Sequence, residues 1–364
     1  MVANPTVIFN EIPSGEPVAG KASLQPLSAT ELTHSADVQT ARTRTIKKVE
    51  KEIDLDAPLD AGSVLVKLKV LSLDPYLRGR MRDEKIESYV PAFKLGEPIV
   101  NFGVGEVVKS ENDKLKKGDH LYGSFPFQHY AVVSKTQADS LRVLKNEEGL
   151  PWTTWVGAAG MPGQTAWWGI NKIGKPQKGE TVFVSGATGP VGQVTIGLAH
   201  KAGAKVIASA GSDEKVKFLK EHLNVEVAFN YKKEDTAEVL KKYKEEQGGF
   251  HVYVDNVAGP TLEAALQYIE KRGRLVQIGA INDYNGKPYG IKNIFQIVAK
   301  ELKAEGFIIL NHDISEFYNE VPKYLADGTL PQPKEHITKG LDNGESFAEL
   351  FSGANFGKAV ISLE

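Results

Sequence analysis

The sequence of 364 residues contains no cysteine. Such a chain cannot form a disulfide, use a thiolate nucleophile or hold zinc through cysteine ligands. Its eight histidines include no pair three or four residues apart, so the helical zinc-protease pattern is missing as well. We therefore predict that the protein holds no metal.

The chain also lacks a charge excess and a long apolar run. Its formal net charge is −2, which leaves no basic surplus for gripping a phosphate backbone, so nucleic acid is not an expected partner. No stretch approaches the roughly 20 apolar residues that a membrane span requires, and Met1–Pro5 carries no charged-then-apolar signal. We expect a cytoplasmic protein with no membrane partner.

The chain divides into two parts by the pattern of its apolar residues. From Val64 to Leu71 these residues alternate with a period of two, and further short β-like runs in the first third predict a small barrel or sandwich. Beyond Gly169, strands and helices alternate. The strand-like runs are Thr181–Ala187, Lys205–Gly211, Val225–Tyr231, His251–Val257, Arg274–Ile281 and Ala304–Leu310, and the helix-like runs are Pro190–Lys201, Asp213–His222, Glu234–Glu246 and Pro260–Lys271. Six strands with helical crossovers predict an α/β fold with a doubly wound parallel sheet.

The run from Thr181 to Gly192 is the most informative in the chain. An apolar strand stops at a glycine-rich turn, and a helix begins at Pro190, whose missing N–H costs nothing in a first helical turn. Glycines let a backbone approach a pyrophosphate, and the N–H groups at the helix start face the anion. The pattern is Ala-x-Gly-x-x-Gly, from Ala187 through Gly189 to Gly192. It predicts a dinucleotide-binding loop rather than a tight turn without a ligand.

The residues after the second strand-like run bear on the choice between NADP and NAD. An NAD enzyme places an acid about 20 residues past the glycines, and Asp213 is roughly there. The strand itself ends in the small, neutral Gly211 and Ser212, and Lys215 follows on the first turn of the next helix, where it could meet a 2′-phosphate. Tyr231, at the end of the third run, could add a hydroxyl. Taken singly, Lys215 is more typical of a solvated surface lysine and Tyr231 of a strand-end aromatic, but their position and pairing favour NADP over NAD.

Motifs along most of the chain resemble a known family. They are Leu71–Met81, Gly160–Ala166, Gly211–Lys215, Phe229–Tyr231, Asp255–Val257, Gly279–Asn285 and Gly353–Lys358, together with the glycine-rich loop. The chain resembles the medium-chain dehydrogenase/reductase superfamily, and within it the zinc-independent leukotriene B4 12-hydroxydehydrogenase/prostaglandin reductase group, which includes NADP-dependent alkenal double-bond reductases. The resemblance implies a GroES-like β-rich catalytic domain over residues 1–155, to which residues 335–364 return. It implies a Rossmann NADP-binding domain with a six-stranded sheet over residues 156–334, and a homodimer.

The resemblance also implies roles for single positions. Those that would hold the phosphates of NADPH are Gly189 and Pro190 at the pyrophosphate, and Gly211, Lys215 and Tyr231 at the 2′-phosphate. Those that would line the rest of the cofactor are Asn256, Ile278, Tyr284 and Asn355, with Phe307, Ile308 and Ile309 beside the nicotinamide. Tyr76 matches a tyrosine in the substrate pocket. Ala258 stands where the family usually has glycine, and we expect its methyl group to be tolerated near the ribose.

These features indicate one chemistry above others. Without zinc to polarise a carbonyl, another group must stabilise the charge that forms on oxygen as hydride arrives, and an enal or enone carries that charge as an enolate. Tyr284 is the first candidate donor, directly or through the ribose 2′-hydroxyl, and Tyr76 is the second; both can instead be structural aromatics. We predict an NADPH-dependent reductase of the α,β double bond of enals, enones or related conjugated carbonyls, with a small-molecule substrate. The alternatives are a quinone oxidoreductase of the same superfamily, oxidation of a hydroxy-eicosanoid-like alcohol, and an NADPH-binding protein with little turnover.

Overall fold

The computed structural model describes residues 1–12, 45–284, 288–342, 344–352 and 355–364. The strands of this part are β1 (Val2–Ala3), β2 (Thr6–Phe9), β3 (Ile46–Val49), β4 (Glu52–Ile53), β5 (Val64–Ser72), β6 (Val100–Ser110), β7 (His120–Pro126), β8 (Tyr130–Val133), β9 (Arg142–Leu144), β10 (Thr181–Val184), β11 (Lys205–Ala210), β12 (Val227–Asn230), β13 (Phe250–Asp255), β14 (Ile269–Gln277), β15 (Lys303–Gly306), β16 (Glu335–Lys339) and β17 (Lys358–Ser362).

The α-helices of the same residues are mostly short. They are α1 (Leu77–Arg80), α2 (Lys135–Ala138), α3 (Met161–Trp168), α4 (Pro190–Lys201), α5 (Asp213–His222), α6 (Thr236–Gln247), α7 (Gly259–Tyr268), α8 (Gln296–Ala299), α9 (Ser315–Ala326) and α10 (Glu345–Ser352). A π-helical segment, Gly169–Gly174, continues α3. Within the described ranges, none of these helices is long and apolar enough to cross a membrane.

The described chain separates into two compact units. The first consists of Met1–Val156 and Glu335–Glu364, and the second of Gly157–Lys334. One unit is β-rich and the other holds a parallel sheet with helices between its strands. The predicted α/β fold class is thereby confirmed.

The first unit is built around a mixed sheet in the strand order β16-β17-β5-β6-β7-β9, and β8 also pairs with β5. Strand β17 lies parallel to β16 and antiparallel to β5, so late residues of the chain complete a sheet begun in its first third. Alternate residues of β5, Val64, Val66 and Leu68, are fully buried in the core of this unit. The period-two pattern of the sequence therefore marks a strand with a core-facing side.

The second unit contains a six-stranded sheet in the order β12-β11-β10-β13-β14-β15. Every pair in it is parallel, and all four residues of the central strand β10 are buried, as expected for a sheet with covered faces. Phe183 of β10 stacks on Tyr253 of β13, with 4.9 Å between the ring centroids. The strand order reverses between β10 and β13, which is the switch point where such sheets bind ligands.

Two helices of this unit begin and end at the predicted residues. Gly189 is the N-cap of α4 and Pro190 takes its first helical position. Ser212 caps α5, since its side chain accepts a hydrogen bond from the Lys215 backbone N–H. Local capping chemistry thus defines both helix starts.

The predicted helix Pro260–Lys271 is wrong at its C-terminal end. Helix α7 ends at Tyr268, and Ile269 is already extended and pairs with Phe250 in the sheet. Arg272 then has a φ of 61°, and a Cβ on Gly273 would lie 2.6 Å from the Ile269 side chain. Sheet pairing here overrides helix propensity, which is a weak preference in tertiary context.

Candidate functional site

The predicted cofactor residues of the second unit share one edge of the parallel sheet. Five of them are each the first residue after a strand, namely Gly211, Tyr231, Asn256, Ile278 and Phe307 after β11, β12, β13, β14 and β15. Because the strands are parallel, their carboxyl ends meet at the same edge. Open α/β sheets bind their ligands in the crevice outside that edge.

The turn between β10 and α4 depends on glycine at two places. Gly186 has a φ of 58°, which a residue with a Cβ rarely adopts. A Cβ on Gly192 would lie 2.5 Å from the Ala187 carbonyl oxygen, so only glycine lets α4 start this close to the strand. Gly189 and Pro190 stand at the helix start, where backbone N–H groups lack partners within the helix. The turn can therefore hold an anion such as a pyrophosphate.

Gly211, Tyr231 and Lys215 form the next part of the edge. A Cβ on Gly211 would lie 2.9 Å from the Tyr231 hydroxyl oxygen, so glycine leaves room for that hydroxyl, and Tyr231 itself is 49% exposed. Burial lowers the pKa of Lys215, and the positive charge of Lys232 lowers it further. Both effects disfavour the charged form of Lys215, and a bound anion would counter them.

Asp213, the acid in the NAD-like position, is held by two side chains of the protein. Asn230 Nδ2 donates to Asp213 Oδ1 over 2.7 Å, and Lys233 Nζ lies 2.5 Å from Asp213 Oδ2. The hydrogen bonds from Lys233 and then from Asn230 lower the pKa of Asp213, so it is ionised and paired. A carboxylate paired in this way repels a phosphate less than a bare one would.

The turn between β13 and α7 is held by the buried carboxylate of Asp255. Its Oδ1 accepts hydrogen bonds from the backbone N–H groups of Val257 and Ala258, over 2.9 and 2.7 Å, and from the Tyr253 hydroxyl over 2.8 Å. Burial raises the pKa of Asp255. Ala258 has φ 60° and ψ −148°, a conformation that almost only glycine adopts. The alanine that we expected to be tolerated therefore carries backbone strain.

The remaining predicted residues of this unit lie at the far strands of the sheet. A Cβ on Gly169 would lie 3.6 Å from Ile278 Cδ1 and 3.9 Å from Phe307 Cε1, so these two side chains converge. Ile308 is half-buried beside Phe307 in the chain. Tyr284 is half-buried after the 3₁₀ turn Ile281–Asp283, which follows β14 at the same edge.

The first unit carries Tyr76 and a buried cluster that sequence reasoning missed in part. Tyr76 stands at the N-cap of α1, and its hydroxyl donates to Asn101 Oδ1 over 2.5 Å. Asn101 donates in turn to Asp74, which also pairs with Lys358. Asp74 and Lys358 fall in motifs that the sequence displays, but no local signal marks Asn101 on strand β6.

Asn355, also in the first unit, has a side-chain amide without a partner among the described residues. Its Nδ2 and Oδ1 atoms are both buried. Buried polar side-chain atoms nearly always have a hydrogen-bond partner, and one left unpaired requires an explanation. A bound ligand is such an explanation, and it fits the role predicted for Asn355. Elsewhere in the described ranges, no group of three or more metal-ligating side chains occurs.

Comparison with known proteins shows which family the chain is similar to. Two family models match the chain, a zinc-binding dehydrogenase over residues 190–325 and an N-terminal domain of oxidoreductase over residues 40–141. The NADP-dependent oxidoreductase RED1 of Cochliobolus heterostrophus is 39% identical over 86% of this chain and 91% of its own length. The 2-alkenal reductase (NADP(+)-dependent) of Nicotiana tabacum is 38% identical over 85% of this chain and 90% of its own length.

A solved structure is similar to the chain in both units. The crystal structure of CurA from Vibrio vulnificus in complex with NADPH superposes on this chain with a TM-score of 0.82 and 28% sequence identity. The match covers 99% of this chain and 99% of CurA. The similarity therefore covers the fold of each of the two units.

Proposed function

Since this chain belongs to the medium-chain dehydrogenase/reductase superfamily, in its NADP-dependent and zinc-independent group, we propose that it reduces the α,β carbon–carbon double bond of enals and enones with NADPH. The observation that carries the proposal is the carboxyl edge of the parallel sheet. There a glycine-lined turn follows β10, the segment Gly211–Lys215 follows β11, and a half-buried tyrosine, Tyr284, comes after β14. The identity to a 2-alkenal reductase supports the same substrate class.

The residues present fit NADPH. Glycine at position 211 lets the Tyr231 hydroxyl lie against the end of β11, and Asn355 offers a buried amide that finds no partner in the described chain. Those that would hold the cofactor are Gly189, Pro190, Gly192, Gly211, Lys215, Tyr231, Asn256, Ile278, Tyr284, Phe307, Ile308 and Asn355. When bound, NADPH supplies the hydride. The pairing of Asp213 with Lys233 and Asn230 favours the 2′-phosphate over a free ribose hydroxyl.

Tyr284 is the residue that we expect to touch the reacting atoms. Its hydroxyl would donate a hydrogen bond to the carbonyl oxygen of the substrate, where negative charge develops as the double bond is reduced. A single aligned donor of this kind is worth on the order of 10²–10³ in rate. Tyr76 would form part of the substrate pocket.

The test is turnover of a substrate panel followed by product analysis. Purified protein is given enals, enones, quinones and simple aldehydes with NADPH, with NADH, and with NADPH plus a chelator. We expect chelator-insensitive oxidation of NADPH that yields the saturated carbonyl from enals and enones. Activity on quinones alone would assign the protein to the quinone reductases. Tight NADPH binding without turnover would make it a binding protein.

A pair of tyrosine variants locates the catalytic hydroxyl. Tyr284→Phe should lower kcat by on the order of 10²–10³ while NADPH affinity stays within about threefold. Tyr324→Phe is the matched control, because its ring contacts Lys201 at the C-terminal end of α4, away from the carboxyl edge. Equal rates for both variants would contradict the role of Tyr284.

Three further assignments belong to this proposal. We propose that residues 1–155 and 335–364 form a GroES-like catalytic domain and that residues 156–334 form the NADP-binding domain. We also propose that the protein is cytoplasmic and forms a homodimer. The homodimer is supported by β15, which is an edge of the described sheet, and by the apolar Phe295 and Val298 nearby in the chain, which are 71% and 68% exposed. Light scattering and cell fractionation test the two latter points.

A further inference from the structure

A chain of buried hydrogen bonds in the first unit begins at Lys358. This side chain is 1% exposed, and its ammonium donates to Asp74 Oδ1 over 3.1 Å, to the Leu73 carbonyl over 2.5 Å and to the Ala359 carbonyl over 2.9 Å. An ammonium group has three protons, so each of them has an acceptor. Lys358 is therefore fixed, and it holds the carboxylate of Asp74 in one orientation.

The second oxygen of that carboxylate fixes the amide of Asn101. Asp74 Oδ2 accepts from Asn101 Nδ2 over 2.9 Å and from the Ser72 hydroxyl over 2.5 Å, and Asn101 Nδ2 also donates to the Ser72 carbonyl over 2.7 Å. Both amide hydrogens thus go to acceptors. A flipped amide would place its oxygen against a carboxylate and a carbonyl, so the partners themselves decide the orientation. The Asn101 Oδ1 atom must then face Tyr76.

This orientation decides where the Tyr76 proton points. The amide oxygen of Asn101 has only lone pairs, so the Tyr76 hydroxyl, 2.5 Å away, must donate its single proton to it. The Arg80 guanidinium, which has only donors, is hydrogen-bonded to the same hydroxyl. Burial and the nearby Asp74 carboxylate raise the pKa of Tyr76, which keeps the hydroxyl protonated. Arg80 uses one lone pair of this hydroxyl, so a ligand that reaches the hydroxyl meets the lone pair that remains.

We propose, on the premise of the function proposed above, that Asn101, Asp74 and Lys358 are positioning residues that make Tyr76 a hydrogen-bond acceptor in the substrate pocket rather than a donor to the substrate carbonyl. Tyr76 then selects substrates by a polar group away from the reacting carbonyl. A substrate that presents a hydroxyl or N–H donor to Tyr76 gains one hydrogen bond, and a substrate that presents only an acceptor gains none. The donor to the carbonyl is left to Tyr284.

The test compares an enone that carries a free hydroxyl with its methyl ether. The wild-type protein should favour the hydroxyl compound in kcat/KM by about two- to tenfold, the net worth of one hydrogen bond, and the difference should appear in KM with kcat unchanged. In Tyr76→Phe this preference should fall to the level set by the size of the two compounds alone. In Asn101→Leu the Tyr76 hydroxyl loses its acceptor and can donate its proton to a substrate. The kcat/KM for the methyl ether should therefore rise relative to that for the hydroxyl compound.

A control and two contrary outcomes complete the experiment. Ser110→Ala removes a hydroxyl at the far end of the same strand, where it donates to the Leu115 carbonyl, and should keep the wild-type preference. A wild-type protein that reduces both compounds equally well, or prefers the ether, overturns the acceptor role of Tyr76. A protein that reduces neither compound overturns the proposed function instead. Should Asn101→Leu fail to fold, the Tyr76→Phe result decides alone.

Discussion

Replacing Ala258 by glycine should stabilise the second unit. Ala258 has φ 60° and ψ −148°, and the Asp255 carboxylate holds its backbone N–H there through a 2.7 Å hydrogen bond. A non-glycine residue kept in such a region costs about 1–3 kcal/mol, whereas glycine adopts it freely. The substitution removes one methyl group and leaves the backbone hydrogen bond in place.

The size of the effect follows from two opposing contributions. Relief of strain in the folded state contributes about 1–3 kcal/mol, and the extra freedom of glycine in the unfolded chain removes about 0.4–1 kcal/mol. The mid-range values give a net gain of about 1.3 kcal/mol. For a unit that spans Gly157–Lys334, each kcal/mol raises Tm by roughly 2–4 °C, so we expect a rise of roughly 3–5 °C.

Thermal and urea unfolding of Ala258→Gly, without cofactor, measure this gain. Ala202→Gly is the matched control, since Ala202 ends α4 with an ordinary φ of −76° and should lose about 0.4–1 kcal/mol. A Tm for Ala258→Gly that is unchanged or lower, beside the expected loss in Ala202→Gly, would refute the assignment of strain to this turn. The position lies beside the predicted ribose site, but the substitution removes only one methyl group. NADPH affinity should therefore change by less than about threefold.

Three other perturbations test the cofactor edge and the buried pair. Lys233→Met should free the charge of Asp213 and lower the preference for NADPH over NADH by about two- to fivefold in kcat/KM. The lowered pKa of Lys215 means that it loses its proton at a lower pH than an ordinary lysine, so the KM for NADPH should rise on the alkaline side, and Lys215→Met should abolish that rise. Lys358→Met leaves Asp74 buried without its cation and should cost about 3–5 kcal/mol in denaturant unfolding, part of which the added Asp74→Leu should restore.

The sequence predicts those parts of the fold that local chemistry determines. Helices α4 and α5 match their predicted bounds because Pro190 and the capping side chain of Ser212 mark their starts. The end of α7 does not match its predicted bound, because Ile269 leaves the helix and pairs with Phe250 in the sheet. These two residues are far apart in the sequence, so no local pattern shows that they are in contact. Capping is encoded within a few residues, whereas strand pairing depends on the whole sheet.

The candidate site divides in the same way. Gly211 and Tyr231 can be placed from sequence because a residue that follows a parallel strand must lie at its carboxyl edge. Asn101 cannot be placed from sequence in this way. Its amide lies beside Asp74 and Tyr76 only because of the register of β5 and β6, in which Leu71 pairs with Gly103. An asparagine within an apolar strand shows no function until its partners across the sheet are known.

The position of β17 between β16 and β5 sets an order in which the protein can be assembled during synthesis. The second unit is one continuous segment, so it has all of its strands while the last residues of the first unit are still to be translated. Until β17 is made, the Val70–Ser72 end of β5 lacks its β17 partner and Asp74 lacks its cation, and unpaired strand edges attract other chains. The half that begins to be made first is therefore finished last.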